Sequence, residues 1–265
     1  MSPCKKLSTI SRLHYLKLIF RSLLFLAAAT VYIVRRVRGI PFSLRVITDR
    51  PILLGIIAAI FFVEMLLRFF PSRLESMGCQ KQFARNFIPK QEQAQPPSTL
   101  RGVLLVALSW IALNALIGAA FFLGWIDEGI LLLICLFYSV CDMICILFFC
   151  PFQTWMMKNK CCGSCRIYNW DYAMMFTPMV FIPSLFTYGL LGVALLLLLF
   201  WELAALLHPE RFAEETNECL SCKNCKEKLC HHKTQLRGFL KKNKERLLLR
   251  GNAVIEKVKS FGKKN

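Results

Sequence analysis

Long apolar runs constrain this chain more than any other feature of its sequence. An apolar run of about 20 residues crosses the ~30 Å hydrocarbon core of a bilayer as a helix, because an isolated strand in lipid leaves its backbone groups unpaired. The chain is 56% hydrophobic, against roughly 45–50% for a soluble domain. We therefore predict an all-α fold, a polytopic transmembrane helical bundle. Its four clearest spans are residues 16–34, 51–70, 102–125 and 129–150.

The fifth apolar stretch, residues 173–208, is too long for one ordinary span. Pro178 and Pro183 interrupt it, and a proline inside a helix removes a backbone hydrogen bond and kinks or ends the helix. The stretch predicts either a re-entrant segment followed by one helix or a tight hairpin of two short helices. The bundle then has five or six crossings.

Positive charge is concentrated beside the apolar runs, which favours a membrane protein over a nucleic-acid-binding one. The chain has 34 Lys and Arg against 16 Asp and Glu, a net charge of +18, and Lys and Arg mark cytoplasmic loops. We predict a multi-pass protein of the plasma membrane that contacts the lipid bilayer and no nucleic acid. The acidic turn "IDEG" (126–129) is then external, and the loop 150–172 is cytoplasmic. The basic segment 35–50 falls outside in this topology, against the charge rule, so its side stays open.

Polar segments divide the chain into three parts. Residues 1–101 hold two helices and a polar loop, and residues 102–208 hold the other membrane helices with the cysteine-rich loop 150–172. Residues 209–265 form a small soluble tail that is basic, cysteine-rich and predicted to be cytoplasmic. A cytoplasmic tail requires two crossings within 173–208, because a single crossing would place the tail and the loop on opposite faces.

Eight of the 13 cysteines lie in two lysine-rich segments. The tail segment "CLSCKNCKEKLCHH" has the spacing C-x2-C-x2-C-x4-C, and the loop segment "CPFQTWMMKNKCCGSC" adds four more cysteines. In a reducing compartment such patterns favour metal binding over disulfides. The predicted metal ligands are Cys150, Cys161, Cys162 and Cys165 in the loop and Cys219, Cys222, Cys225 and Cys230 in the tail.

The cysteine spacing favours an iron–sulfur cluster and leaves zinc as the alternative. Three cysteines at x2 spacing hold one face of an iron–sulfur cube. Zinc would take four tetrahedral nitrogen or sulfur ligands, either two cysteine pairs from loop and tail or three tail cysteines with His231. A zinc site of this kind would only join the tail to the loop.

The Cys-Pro step at the end of an apolar run and the cysteine-rich tail together resemble the polyferredoxin-type membrane electron-transfer proteins. Those proteins carry C-x3-C-P at the ends of membrane helices and ferredoxin-like motifs in cytoplasmic loops. The resemblance covers residues 141–165 and 219–230, where Cys145-x4-Cys150-Pro151 stands in place of C-x3-C-P. It implies electron transfer at the membrane through 4Fe-4S clusters, with a soluble redox partner or a quinone.

We therefore predict a membrane-bound iron–sulfur electron-transfer protein or the membrane subunit of a redox complex. One alternative is a non-enzymatic membrane protein with a structural zinc site. Another is a small-solute transporter, which the broken stretch 173–192 and the intramembrane Asp142 would suit. The sequence contains no P-loop, GxSxG, HExxH or dinucleotide-binding motif, and whether the chain is an enzyme stays open.

Charged residues inside apolar runs are costly and therefore informative. Arg21 is predicted to reach the membrane interface with its long side chain. Glu64 and Arg68, spaced i,i+4, are predicted to neutralise each other. Asp142 and Glu202 stay open between a proton-relay or quinone contact and an ordinary structural role. The cysteines within the fourth run are predicted to pack as small hydrophobic side chains, and they are Cys135, Cys141 and Cys145.

Overall fold

Helices dominate the part of the chain that the computed structural model describes. This part contains no β-strand, which confirms the all-α prediction for it. The predicted tail ligands Cys222, Cys225 and Cys230 lie outside it. The described residues are 9–40, 51–71, 77–90, 99–159 and 161–221.

Seven α-helices occur within the described residues, and local signals mark several of their ends. The Asp127 carboxylate accepts a hydrogen bond from the amide of Ile130 and caps the fifth helix. Ser184 caps the seventh in the same way. The helices are α1 (Thr9–Val37), α2 (Pro51–Phe69), α3 (Met77–Gln82), α4 (Leu100–Phe122), α5 (Glu128–Leu147), α6 (Asp171–Phe176) and α7 (Leu185–Leu207).

Four of these helices are long and apolar enough to cross a membrane, with mean hydropathies between 1.8 and 2.7 over their most apolar windows. Their outer faces expose large apolar side chains, such as Leu116 and Leu185, which is the surface that lipid requires. Helix α2 adds 19 further residues, a length of about 28 Å, and packs along α7. The number of crossings stays a prediction. The four helical spans are Ile10–Val37, Leu100–Phe122, Glu128–Leu147 and Leu185–Leu207.

Helices α1 and α5 are antiparallel neighbours, as two contacts show. Near the end of α1, Tyr32 donates to Asp127 at the start of α5, with 3.0 Å between Tyr32 Oη and Asp127 Oδ2. In the first half of α1, Arg21 binds Asp142 near the end of α5. The basic residues 35–38 therefore lie at the Asp127 end of the bundle, opposite to the cysteine loop that follows α5.

Residues 171–182 cross the bundle in the direction opposite to α7. They begin beside Glu202, near the end of α7, where Trp170 donates to that carboxylate. They end where Phe181 packs against Phe122, the last residue of α4, with ring centroids 5.8 Å apart. The fifth apolar stretch is thus a short broken segment followed by one long helix. The chain after α7 returns to the end of the bundle that holds the cysteine loop.

A close contact between α4 and this broken segment depends on Gly118. A Cβ atom at Gly118 would lie 2.4 Å from Cζ of Phe181, well inside van der Waals contact. Only glycine lets the aromatic ring approach the α4 backbone this closely. The hydrophobic core lies where α2, α6 and α7 meet. It contains the fully buried Met65, Tyr172 and Leu197.

Candidate functional site

Helix α3 joins the two segments of the chain that carry the predicted metal ligands. Gln82 Nε2 donates to the carbonyl oxygens of Gly163 at 3.0 Å and Cys165 at 3.3 Å. On the other side of α3, Asn217 Nδ2 donates to the carbonyl oxygen of Lys81 at 2.9 Å. Loop and tail segment therefore meet at one end of the bundle. We name this assembly the cap, and it comprises residues 77–90, 150–159, 161–170 and 208–221.

The cap is also joined along its backbone. The backbone amide of Glu218 donates to the carbonyl oxygen of Ile88 at 2.9 Å. The backbone amide of Lys90 donates to the carbonyl oxygen of Thr216 at 3.0 Å. Asn217 is fully buried at this seam. Nothing in the sequence singles out these residues, because single Asn and Gln residues in polar loops have no spacing pattern.

Two of the predicted ligands, Cys161 and Cys219, lie in the parts of the cap that pack against α3. A methyl group at Gly163 would lie 3.7 Å from Cys161 Sγ and 3.9 Å from Lys81 Cδ. Cys219 donates its thiol proton to the carbonyl oxygen of Asn86 at 2.9 Å. Burial raises the pKa of the Cys219 thiol, and the Lys81 ammonium opposes this shift. Because metals bind the thiolate, a metal ion at Cys219 would release a proton.

The described residues alone do not complete the predicted metal site. Among them, no group of three or more His, Cys, Asp or Glu side chains could hold a metal ion. Cys150 and Cys165 line a cavity away from Cys219. The ligands that lie outside the described part are the Cys162 side chain, Cys222, Cys225 and Cys230.

A cavity of about 460 Å³ lies where α4 and α5 meet the cap. Its wall is mostly apolar and aromatic, with Trp110 and Tyr138 packed at 4.8 Å between ring centroids. Asp142 and Asp171 also reach its lining. Four cysteines line it, and they are Cys141, Cys145, Cys150 and Cys165. Cys135 alone of the α5 cysteines is fully buried in the core, as predicted.

Within this cavity the Cys145 and Cys150 thiols are in hydrogen-bond contact. Helix α5 ends at Leu147, so the chain turns between the two cysteines and brings Cys150 back over the last helical turn. The backbone amide of Gln153 donates to Cys150 Sγ at 3.4 Å. The sulfur of Cys150 therefore accepts a hydrogen bond at the wall of this mostly apolar cavity.

Arg21 is the centre of a buried charge network between α1, α2 and α5. It is 1% exposed and donates to Glu64 Oε2 and Asp142 Oδ2, each at 2.9 Å. Lys17 Nζ lies 3.1 Å from the second oxygen of Glu64, and Tyr172 donates to Glu64 at 2.8 Å. The prediction that Arg21 reaches the interface is wrong, because two carboxylates from other helices hold it inside.

Arg68 forms a second buried pair, with Asp171 at the start of α6. Its guanidinium meets both carboxylate oxygens, at 2.9 and 2.5 Å. It also lies over the rings of Tyr172 and Tyr168, with 4.9 and 5.7 Å to the ring centroids. The predicted pair of Glu64 with Arg68 is therefore wrong, since each finds an opposite charge on another helix.

Glu202 is also bound by side chains of the cap and does not reach the membrane interface alone. Arg166 Nη2 donates to Glu202 Oε2 at 2.6 Å, and Trp170 Nε1 donates to Oε1 at 2.7 Å. Both donors precede α6, so these two hydrogen bonds connect the cap loop to the last turns of α7. These contacts favour a structural role for Glu202 over a proton-relay or quinone contact.

His14 has no sequence signal that distinguishes it, yet the fold buries it at the cap end of α1. It is 3% exposed, and neither ring nitrogen has a hydrogen-bond partner among the described residues. The nearest charges belong to Lys17, Arg68, Arg21 and Glu64. The histidine thus borders the charge network without joining it.

Four long apolar helices, a polar cap and buried ion pairs between helices define an α-helical membrane protein. Comparison with protein-family models, with curated proteins and with solved structures gives no match to this chain.

Substituting Gln82 with Met should loosen the cap. The change removes the donor to two buried carbonyl groups and the acceptor of Asn169 Nδ2, at 2.9 Å. Leaving buried polar groups unsatisfied costs about 1–3 kcal/mol each, so we expect a lower unfolding temperature and faster alkylation of Cys165, measured by mass spectrometry. The control is Asn86→Ala, which removes a comparable amide bond at an exposed site. Equal effects of both variants would contradict the role of Gln82.

Proposed function

We propose that this chain is a plasma-membrane protein whose cap holds an iron–sulfur centre and passes electrons at the membrane. The observation that carries the proposal is that α3 binds both cysteine segments, through Gln82 on one side and Lys81 on the other. Two segments far apart in sequence are thereby placed at one end of the bundle. The proposed orientation places the cap in the cytoplasm, where thiols stay reduced.

Burial raises the pKa of the Cys219 thiol, and the Lys81 ammonium works against this rise. A nearby ammonium group lowers the pKa of a thiol and so increases the fraction present as thiolate. Cys219 lies near this lysine, and both Cys161 and Lys81 approach Gly163 of the loop. In the proposal these two cysteines are joined by Cys222 and Cys225, whose x2 spacing with Cys219 suits a cluster. A soluble redox protein or a quinone would exchange electrons with this centre.

Elemental analysis of anaerobically purified protein tests the proposal. We expect a brown protein with iron and acid-labile sulfide in equal amounts, and loss of both in Cys219→Ser. The matched control is Cys135→Ser, which alters a buried thiol inside α5 that is no predicted ligand. A colourless protein with stoichiometric zinc that Cys219→Ser removes would establish the zinc alternative. Protein without either metal would overturn both.

A second candidate function is small-solute transport, which the buried charges and a second cavity favour. This cavity, of about 500 Å³, lies between α1, α2, α5 and α7. Transporters place ionisable groups and broken helices around binding sites near the bilayer midplane. Stabilisation of metal-free protein by one solute, together with uptake of that solute into proteoliposomes, would favour this function over electron transfer.

A further inference from the structure

Cys145 and Cys150 are a pair of neighbouring thiols at the end of α5. The two thiols are in contact at the end of α5 and face the same apolar cavity. Cys141 faces the cavity too, but it precedes Cys145 by one helical turn. Residues i and i+4 of a helix keep their Cβ atoms about 5–6 Å apart, whereas a disulfide needs about 3.8 Å. Cys150 lies beyond the end of α5 at Leu147, so it can approach Cys145 without unwinding the helix.

The two thiols also have different environments. Cys150 Sγ accepts a hydrogen bond from the Gln153 amide, and a donor at the sulfur stabilises negative charge there. Cys145 lies inside the last turn of α5, which ends at Leu147, whereas Cys150 follows the helix end.

The cavity determines which oxidant can reach this pair. Its lining is apolar, it is bordered by the aromatic rings of Trp110 and Tyr138, and its volume of about 460 Å³ falls in the range of small-molecule sites. It lies between two helices that are apolar enough to cross a membrane. A flat, apolar ring that partitions into lipid fits these properties.

We propose that Cys145 and Cys150 form a disulfide by reducing a lipid-soluble quinone bound in this cavity. Two S–H bonds break and one S–S bond forms. The two electrons and two protons pass to the quinone, whose carbonyl oxygens become the hydroxyl groups of the quinol. This assignment places Cys150 in a dithiol rather than in the metal site, and it holds whether or not the cap binds iron.

The test uses the full-length protein in lipid nanodiscs under anaerobic conditions with decylubiquinone as the probe. We expect one equivalent of quinol by absorbance and a Cys145–Cys150 disulfide by peptide mapping. Cys145→Ser and Cys150→Ser should lose both products. Cys135→Ser, which changes a buried thiol of the same helix outside this cavity, should retain both.

Several results would overturn the assignment. They are the absence of a disulfide in wild-type protein, a bond from Cys150 to Cys165 instead, and quinol formation that survives in Cys150→Ser. A measurement on wild-type protein does not depend on whether the variants fold. Decylubiquinol should slow the alkylation of Cys150 but not that of Cys219. An alkylation rate of Cys150 that is the same with and without decylubiquinol would contradict binding in the cavity. Metal content, measured on the same samples, reports separately on the cap centre.

Discussion

Replacing Arg21 with Met is expected to lower the free energy of unfolding by about 3–5 kcal/mol, the usual cost of removing one partner from a buried ion pair. The guanidinium is 1% exposed and pairs with Glu64 and Asp142, each at 2.9 Å. Methionine keeps the apolar stem but leaves these two carboxylates without the cation between them. Unfolding in mixed detergent micelles, followed by tryptophan fluorescence, measures the loss.

Two further variants establish the cause. Arg36→Met removes a basic residue at the exposed end of the same helix and should change stability by no more than about 0.5 kcal/mol. Combining Arg21→Met with Glu64→Gln and Asp142→Asn should recover much of the loss, because neutral groups replace the uncompensated charges. An Arg21→Met protein as stable as the wild type would contradict the central position of Arg21.

Replacing Arg68 with Met should have an effect of similar size, about 3–5 kcal/mol, for a different part of the fold. Arg68 is 2% exposed and holds both oxygens of Asp171, which begins the broken segment. Without it a buried carboxylate loses its cation, and two tyrosine rings lose the guanidinium that lies over them. We expect α6 to become the first region to exchange amide hydrogens.

A lysine at position 68 separates charge from geometry. Arg68→Lys keeps the positive charge but cannot contact both carboxylate oxygens in a planar fork, so it should recover only part of the stability. Arg101→Met, at an exposed position of α4, is the control and should be near neutral. Wild-type stability in Arg68→Lys would show that the charge alone matters. Wild-type stability in Arg68→Met would refute the ion pair of Arg68 with Asp171.

Helix positions follow closely from the apolar runs. The run at 51–70 predicts a helix that the structure places at Pro51–Phe69, and the run at 129–150 predicts one found at Glu128–Leu147. Each helix depends on local composition and on end signals such as Asp127, which act within a few residues. The prolines of the fifth stretch likewise mark where the helix is broken, between Asp171 and Leu185.

Partners of the buried charges do not follow from local pattern. Glu64 and Arg68 have the spacing of a helical ion pair, but each is bound by a residue more than 40 positions away. The cavity that collects Cys141, Cys145, Cys150 and Cys165 likewise requires the loop to fold back on α5. Eight cysteines in two segments predict a shared site, whereas among the four with described side chains Cys150 and Cys165 line the cavity and Cys219 donates to Asn86.

By itself the sequence determined an all-helical chain with spans that suit a bilayer, because hydrophobic length is a local property of about 20 residues. The tertiary structure decided that α3 joins loop and tail, that Arg21 and Arg68 are buried, and that Cys145 contacts Cys150. These are contacts between helix faces and loop ends, and their energies depend on which partners the packed bundle brings within reach.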